Sequence, residues 1–436
     1  MRALLAVLIA LVLALPARAE IEIQEVVSPG GFKAWLVEEP SIPFVALEIR
    51  FRGGASLDAP GKRGATNLMV GLLEEGAGDL DARGFAEAAE SLAASYRFDV
   101  GDDAVSVSAR FLSETRDEAV ALLRASLVEP TFEPAAIERV RAQVLASIRS
   151  DLKDPDAIAG AAFDAALFGD HPYGSPLDGT VDSVAALTRD DLLAAHKAAL
   201  AQDRVYIAAV GDIDAETLGA VMDQLFGDLP ETGPELPQMV DVSTEGTIQV
   251  VPFETPQSVA LFGHAGLMRD DPDFLAAYVL NEVLGGGGFE ARLMNEVREK
   301  RGLTYGVYSY LAAKDRAALI AGRVASANDR IAEAIAVIRD EWRKMAETGL
   351  SQEELEQVKT YLTGSYPLRF DGNARIANIL VGMQMDDLGV DYVTNRNALV
   401  EALTVEDMQR VAARLLDPEA LFFVVVGQPE GLDVPG

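Results

Sequence analysis

Apolar and polar residues alternate with a period of two over residues 21–26, 32–37 and 44–51, which predicts three opening strands. The pattern then shifts to a helical period over 62–75. Two more helices are expected before a strand pair in "YRFDVGDDAVSVSARFL", which turns at Gly101, Asp102 and Asp103. Alanine-rich helical segments fill 113–200, interrupted by the loop "FGDHPYGSP" at 168–176. The uninterrupted apolar run "RVYIAAVGDID" then reads as a buried strand and turn, and one last helix reaches Phe226.

Residues 227–238, "GDLPETGPELPQ", hold three prolines, two glycines and three acids, a composition that suits an extended connection. A linker is therefore set at 228–245, between one domain over 20–227 and a second over 246–436. The second reads like the first. "LTRDDLLAAHKAALAQDRVYIAAVGDI" from Leu187 aligns with "LTVEDMQRVAARLLDPEALFFVVVGQP" from Leu403, and Gly211 and Gly427 keep the same offset of 216. Near the front of each half, Val45-Ala46-Leu47 matches Val259-Ala260-Leu261 at an offset of 214. Two matches at nearly one offset, at opposite ends of each half, predict a duplicated unit of about 200 residues. Strands in hairpin order mixed with long helices give an α+β class, each domain a mixed, mainly antiparallel sheet packed with helices.

Composition narrows the possible chemistry. The 436 residues include no cysteine and three histidines, which removes disulfides, thiolate ligands and thiol nucleophiles. A formal charge of -32 disfavours nucleic acid and anionic membrane as partners. The N-terminus has Arg2, an apolar stretch over 3–15, Pro16 and the small-x-small site Ala17-Arg18-Ala19. It reads as a signal peptide cleaved after Ala19, giving an exported, periplasmic chain.

The run Gly285, Gly286, Gly287 and Gly288 precedes a charged helical segment and then a tyrosine-rich strand expected over 303–311. A glycine loop before a helix can cradle phosphate, but no Walker lysine follows and no G-x-G-x-x-G pattern follows a strand. A connection between helices is the simpler reading. Gly302 supplies a helix stop after Arg298. Taken singly, Arg298 reads as a surface charge and Tyr305 as a sheet residue.

Together, two homologous α+β halves, the proline-rich joint, "HPYG" at 171–174 and "GGGGFEARLMNEVREKRGLTYGVYSY" resemble the insulinase-like (pitrilysin) family of zinc peptidases. The similarity is to the branch of short two-domain subunits that includes the mitochondrial processing peptidase. Within "REKRGLTY", Arg298 and Tyr305 match the family pair that helps bind the substrate backbone and the oxyanion opposite the metal. The resemblance also implies a His-x-x-Glu-His motif in the first half, with a further Glu downstream, to hold zinc and activate its water. The matching positions here are Asn67, Val70, Gly71 and Ser147, and none of these side chains can do that work. His171, His196 and His264 lie 25 and 68 residues apart and form no His-x-x-x-His pair.

The resemblance therefore implies a chain without a cofactor of its own, not a peptidase by itself. It would be the Arg/Tyr-bearing, non-metal subunit of a heterodimeric metalloendopeptidase whose zinc sits in a homologous partner. The glycine segment 285–288 would line a chamber and steer an extended peptide substrate. An inert structural subunit of the same fold, and an autonomous peptidase, are the other readings.

Overall fold

The computed structural model describes residues 22–286 and 290–432. The expected signal peptide and Gly287 and Gly288 lie outside the described residues.

Thirteen strands are described: β1 Gln24–Val27, β2 Lys33–Glu38, β3 Phe44–Arg52, β4 Gly76–Ala77, β5 Leu80–Asp81, β6 Ser95–Val100, β7 Ala104–Leu112, β8 Val205–Gly211, β9 Ile248–Pro252, β10 Gln257–Ala265, β11 Val307–Ala313, β12 Ala318–Ala327 and β13 Phe422–Gly427. They form a six-stranded sheet in the order β1-β2-β8-β3-β7-β6, a five-stranded sheet in the order β11-β12-β10-β13-β9, and the short ribbon β4-β5. Each large sheet has one parallel pair, β2 with β8 and β9 with β13, and is otherwise antiparallel.

The two sheets repeat one topology, so the duplication read from the sequence is physical. Gly211 and Gly427 are equivalent: both have φ well above zero, 141° and 151°, and end the matching strands β8 and β13. A side chain on either would strike a neighbouring strand, at the Phe44 carbonyl in one case and at Ser258 in the other. The shorter match at the front of each half needs a correction. Val45 pairs with Gly211, whereas Val259 pairs with Val426. Val45 and Leu47 point into the helix layer of their own half, while Val259 and Leu261 point to the opposite face of theirs. The identical triplet is thus one residue out of structural register, enough to reverse every side chain.

Each sheet packs one face on helices of its own half. Val45, Leu47, Ile49 and Phe51 meet Leu68, Leu123, Leu192 and Leu218 in the first half; Ala260 and Phe262 meet Ile335, Trp342 and Val411 in the second. The other faces are covered reciprocally. Helix Pro155–Phe168 of the first half lays Ala159, Phe163 and Leu167 on Val259, Leu319, Phe422 and Val424, with the rings of Phe163 and Phe422 stacked at 6.0 Å. Helix Asn373–Met385 of the second half lays Ala377, Leu380 and Val381 on Trp35, Ala208 and Val210, and Gln384 Nε2 donates to the Ile207 carbonyl at 2.8 Å.

The equivalent hairpin turns, 101–103 and 314–317, also meet. Lys314 Nζ contacts Asp102 at 2.6 Å, the Asp315 amide donates to Asp103 at 3.1 Å, and the Arg316 amide donates to the Tyr173 hydroxyl at 3.1 Å. The connecting segment has no helix or strand over 232–247 and is clamped: the Pro234 carbonyl accepts from Arg204, the Gln238 carbonyl meets His171 Nε2, and the Val240 amide donates to the Arg316 carbonyl.

Two expected elements come out differently. The helix expected over 62–75 is only Ala65–Val70, because Gly64 enters it with φ 94° and the chain tightens after Gly71 into i→i−3 turns at Leu72, Leu73 and Glu75. One helix, Ala82–Ser91, stands where two were expected, since 76–81 is taken up by the β4-β5 ribbon.

Candidate functional site

The four positions that the family resemblance sets against a zinc motif do not form a ligand set. Asn67 is half-buried in its short helix and Val70 is buried in the core. Gly71 is the residue after the helix, and a Cβ there would lie 3.1 Å from Val140 Cγ1 on helix Pro134–Asp151. Ser147, two turns beyond Val140 on that helix, is exposed. A zinc ion does not fit here: one position lacks a side chain, its space is already in contact with a valine, and another presents a hydrocarbon to the core. Among the described residues no group of three or more His, Asp or Glu is placed to hold a metal ion.

The histidines have structural partners. Trp342 Nε1 donates to His264 Nε2 at 2.9 Å, which leaves His264 Nδ1 to donate to the Ala265 carbonyl at 2.8 Å. His196 Nε2 meets the Leu127 carbonyl at 2.8 Å inside the first core. His171 caps the short turn Pro172–Gly174 by accepting from the Tyr173 amide. Burial lowers the pKa of all three, so neutral imidazole is favoured.

The Arg/Tyr element lies at one edge of the second sheet. Arg298 is on the wide helical turn Met294–Glu299, with its Nε 3.5 Å from the Glu299 carboxylate. Gly302 (φ 59°) ends that helix as expected, its amide donating to the Arg298 carbonyl at 2.7 Å. Thr304 then shapes a turn by accepting from the Gly306 amide and donating to the Ala325 carbonyl. This turn delays β11 to Val307 and leaves Tyr305 ahead of it, 87% exposed. Tyr308 and Tyr310 follow on one face of β11, each 46% exposed, with ring centroids 6.1 Å apart.

Gly285 and Gly286 divide into two roles. Gly285 is buried against β11, where a Cβ would come within 2.7 Å of the Ser309 amide nitrogen. Asn281 fastens the same point: its Nδ2 donates to the Ser309 carbonyl at 3.0 Å and its Oδ1 accepts from the Ser309 hydroxyl at 2.7 Å. Gly286 is exposed, and a Cβ there would meet mainly the Glu282 and Asn281 side chains. The first glycine is thus required by packing on the edge strand. Asn281 and Ser309, which make that packing, were not singled out by sequence reading, because nothing local marks a pair 28 residues apart.

Comparison with known proteins identifies the fold and family. The insulinase (peptidase family M16) profile matches residues 33–181, and the peptidase M16 inactive domain profile matches residues 186–362. A non-peptidase homologue, YmxG, of Helicobacter pylori is 27% identical over 332 residues, covering 76% of this chain and 77% of that protein. An uncharacterised zinc protease of Streptomyces coelicolor is 26% identical over 403 residues, covering 89% and 86%. The crystal structure of a peptidase M16 inactive domain from Pseudomonas fluorescens superposes with a TM-score of 0.88 at 29% identity, covering 95% of this chain and 100% of that one. With a duplicated α+β fold and both halves matched, the chain belongs to the insulinase (M16) peptidase family.

Proposed function

We propose that this chain is the metal-free subunit of a heterodimeric zinc metallopeptidase, exported to the periplasm with its leader removed after Ala19. One observation carries the reading: the first half offers no ligand at Asn67, Val70, Gly71 or Ser147, while the second half keeps Arg298 and an outward-facing Tyr305 on the margin of its sheet. A guanidinium and a phenol are donors suited to charge that appears on a scissile carbonyl as it becomes tetrahedral. They act on a peptide attacked at zinc held by a homologous partner, and the segment from Gly285 to Gly288 borders the path of that peptide. The description of the Helicobacter pylori relative as a non-peptidase supports a member that does not cleave by itself.

The test is to purify the chain with whatever accompanies it from its native cell, count zinc per chain, and measure peptide hydrolysis. Arg298→Ala is expected to lower turnover of the complex on the order of a hundredfold without changing its zinc content. Wild-type rates from both the Arg298→Ala and Tyr305→Phe complexes would refute the shared site and leave an inert structural subunit.

A further inference from the structure

The ladder between β11 and β12 stops at Val307 opposite Val324. Strand alternation gives Tyr305 the parity of Val307 and Ser309, both 2% exposed, so a ladder continued two residues further would carry its ring into the helix layer. The ring stands outside instead. Side chains replace the ladder at that point. Arg330 Nη2 and Nη1 donate to the carbonyls of Arg301 and Gly302, each at 3.0 Å, and Ser326 Oγ donates to the Leu303 carbonyl at 2.5 Å. Thr304 Oγ1 closes the row by donating to the Ala325 carbonyl at 2.6 Å. Consecutive residues 301–304 are thus fastened, one after another, to the single segment 325–330.

That segment has an anchor of its own. Asn328 Nδ2 donates to the Thr255 carbonyl at 2.7 Å and its Oδ1 accepts from Ser258 Oγ at 2.6 Å, which ties the end of β12 to the start of β10. Ser326 is buried, and Arg330 is half-buried at the head of helix Ile331–Thr348. The row also braces the other member of the pair. The Gly302 amide returns to the Arg298 carbonyl, and the Leu303 amide donates to the Val297 carbonyl at 3.0 Å. One braced stretch of backbone therefore runs from Arg298 to Thr304 and presents Tyr305 at its end. Donors aimed at charge that develops in a reaction are effective when their geometry is set beforehand, and a phenol on an unbraced turn would have to be ordered at every turnover.

We infer that Ser326 and Arg330 are positioning residues, which hold Tyr305 out of the sheet and fix its separation from Arg298. This rests on the shared site proposed above. In the chain alone, amide exchange over 301–306 is expected to be about fivefold faster in Ser326→Ala and in Arg330→Met than in wild type, with β12 unchanged. In the complex purified from the native cell, with quenched-fluorescent casein as substrate, each variant should lower kcat on the order of tenfold and leave KM within about twofold. Arg330→Lys should not restore the rate, because an ammonium lacks the planar fork that reaches two successive carbonyls. Combined with Tyr305→Phe, either variant should add less than about a twofold loss, since no phenol is left to place. Unchanged exchange in both variants, or losses that multiply in the double variants, would overturn the positioning role. So would wild-type turnover of Ser326→Ala and Arg330→Met beside a slowed Tyr305→Phe, a result that leaves the shared site standing. Wild-type turnover of both Arg298→Ala and Tyr305→Phe refutes the shared site itself and takes this role with it.

Discussion

Lys314 and Asp102 meet at 2.6 Å at the tips of two equivalent hairpins, one from each half of the chain. Both side chains are largely shielded from water, and Asp102 also accepts from Arg63. Lys314→Met leaves Asp102 with one cation and is expected to cost about 1–2 kcal/mol, whereas Asp102→Ala takes a carboxylate from both Lys314 and Arg63, although Arg63 keeps Asp58 and the Ala55, Ser175 and Pro176 carbonyls, and should cost about 2–3 kcal/mol. Urea unfolding of both variants measures the difference.

The glycine run separates by position. Gly285→Ala places a methyl group 2.7 Å from the backbone nitrogen of Ser309, which cannot move without shifting β11. A loss of about 1–3 kcal/mol is expected. Gly286→Ala meets mainly the ends of the Glu282 and Asn281 side chains, with the Asn281 carbonyl farther off at 3.3 Å, and should cost under about 1 kcal/mol. Thermal melts of the two variants side by side check the ranking.

Acid should weaken the anchor of the segment that leads to Arg298. Burial alone would raise the Glu354 pKa, but the paired bonds from Arg292 and those from Ser351 outweigh it and hold the carboxyl down to about 2. A carboxylate depressed on folding contributes stability above its unfolded pKa of about 4.3 and loses it as pH falls toward the folded value. Glu354→Gln is therefore expected to be less stable than wild type by about 2–3 kcal/mol at pH 7, with the gap closing between about pH 4 and pH 2. Unfolding free energies across that range give the curve.

Asp164 should behave in the opposite way. Burial pushes its pKa up to about 6, above the unfolded value, so its contribution is full below about pH 4 and is lost as pH rises through 6. Asp164→Asn is expected to match wild type at pH 4 and to exceed it at pH 8 by on the order of 1 kcal/mol, after allowance for solvent screening. Differential scanning fluorimetry at the two pH values distinguishes the outcomes.

Much of the architecture was legible from local pattern. Alternation marked β3, the buried run marked β8, and the glycine that ends it recurred in β13 because a positive φ and a crowding neighbour demand it at both places. That a valine and a glycine have no metal donor to offer could be read directly at Val70 and Gly71. What the pattern missed depends on distant partners. The Val45 and Val259 triplets are identical, yet pairing with Gly211 in one sheet and Val426 in the other turns them to opposite faces. Helix Pro155–Phe168 has apolar residues on much of its surface, and nothing nearby in sequence says that the layer it covers belongs to the other half. The same holds for Asp164: its neighbours Lys314 and Tyr310 are about 150 positions away along the chain.

The crossed helices have a consequence for how the chain comes apart. Each half borrows a lid from the other, so a protease cut within 231–247 should leave two fragments that stay together through chromatography. Either fragment made alone would present a bare hydrocarbon face, that around Trp35 and Val210 or that around Val424 and Phe422, and should precipitate. Joint expression should recover both in soluble form, because the missing cover is then supplied in trans.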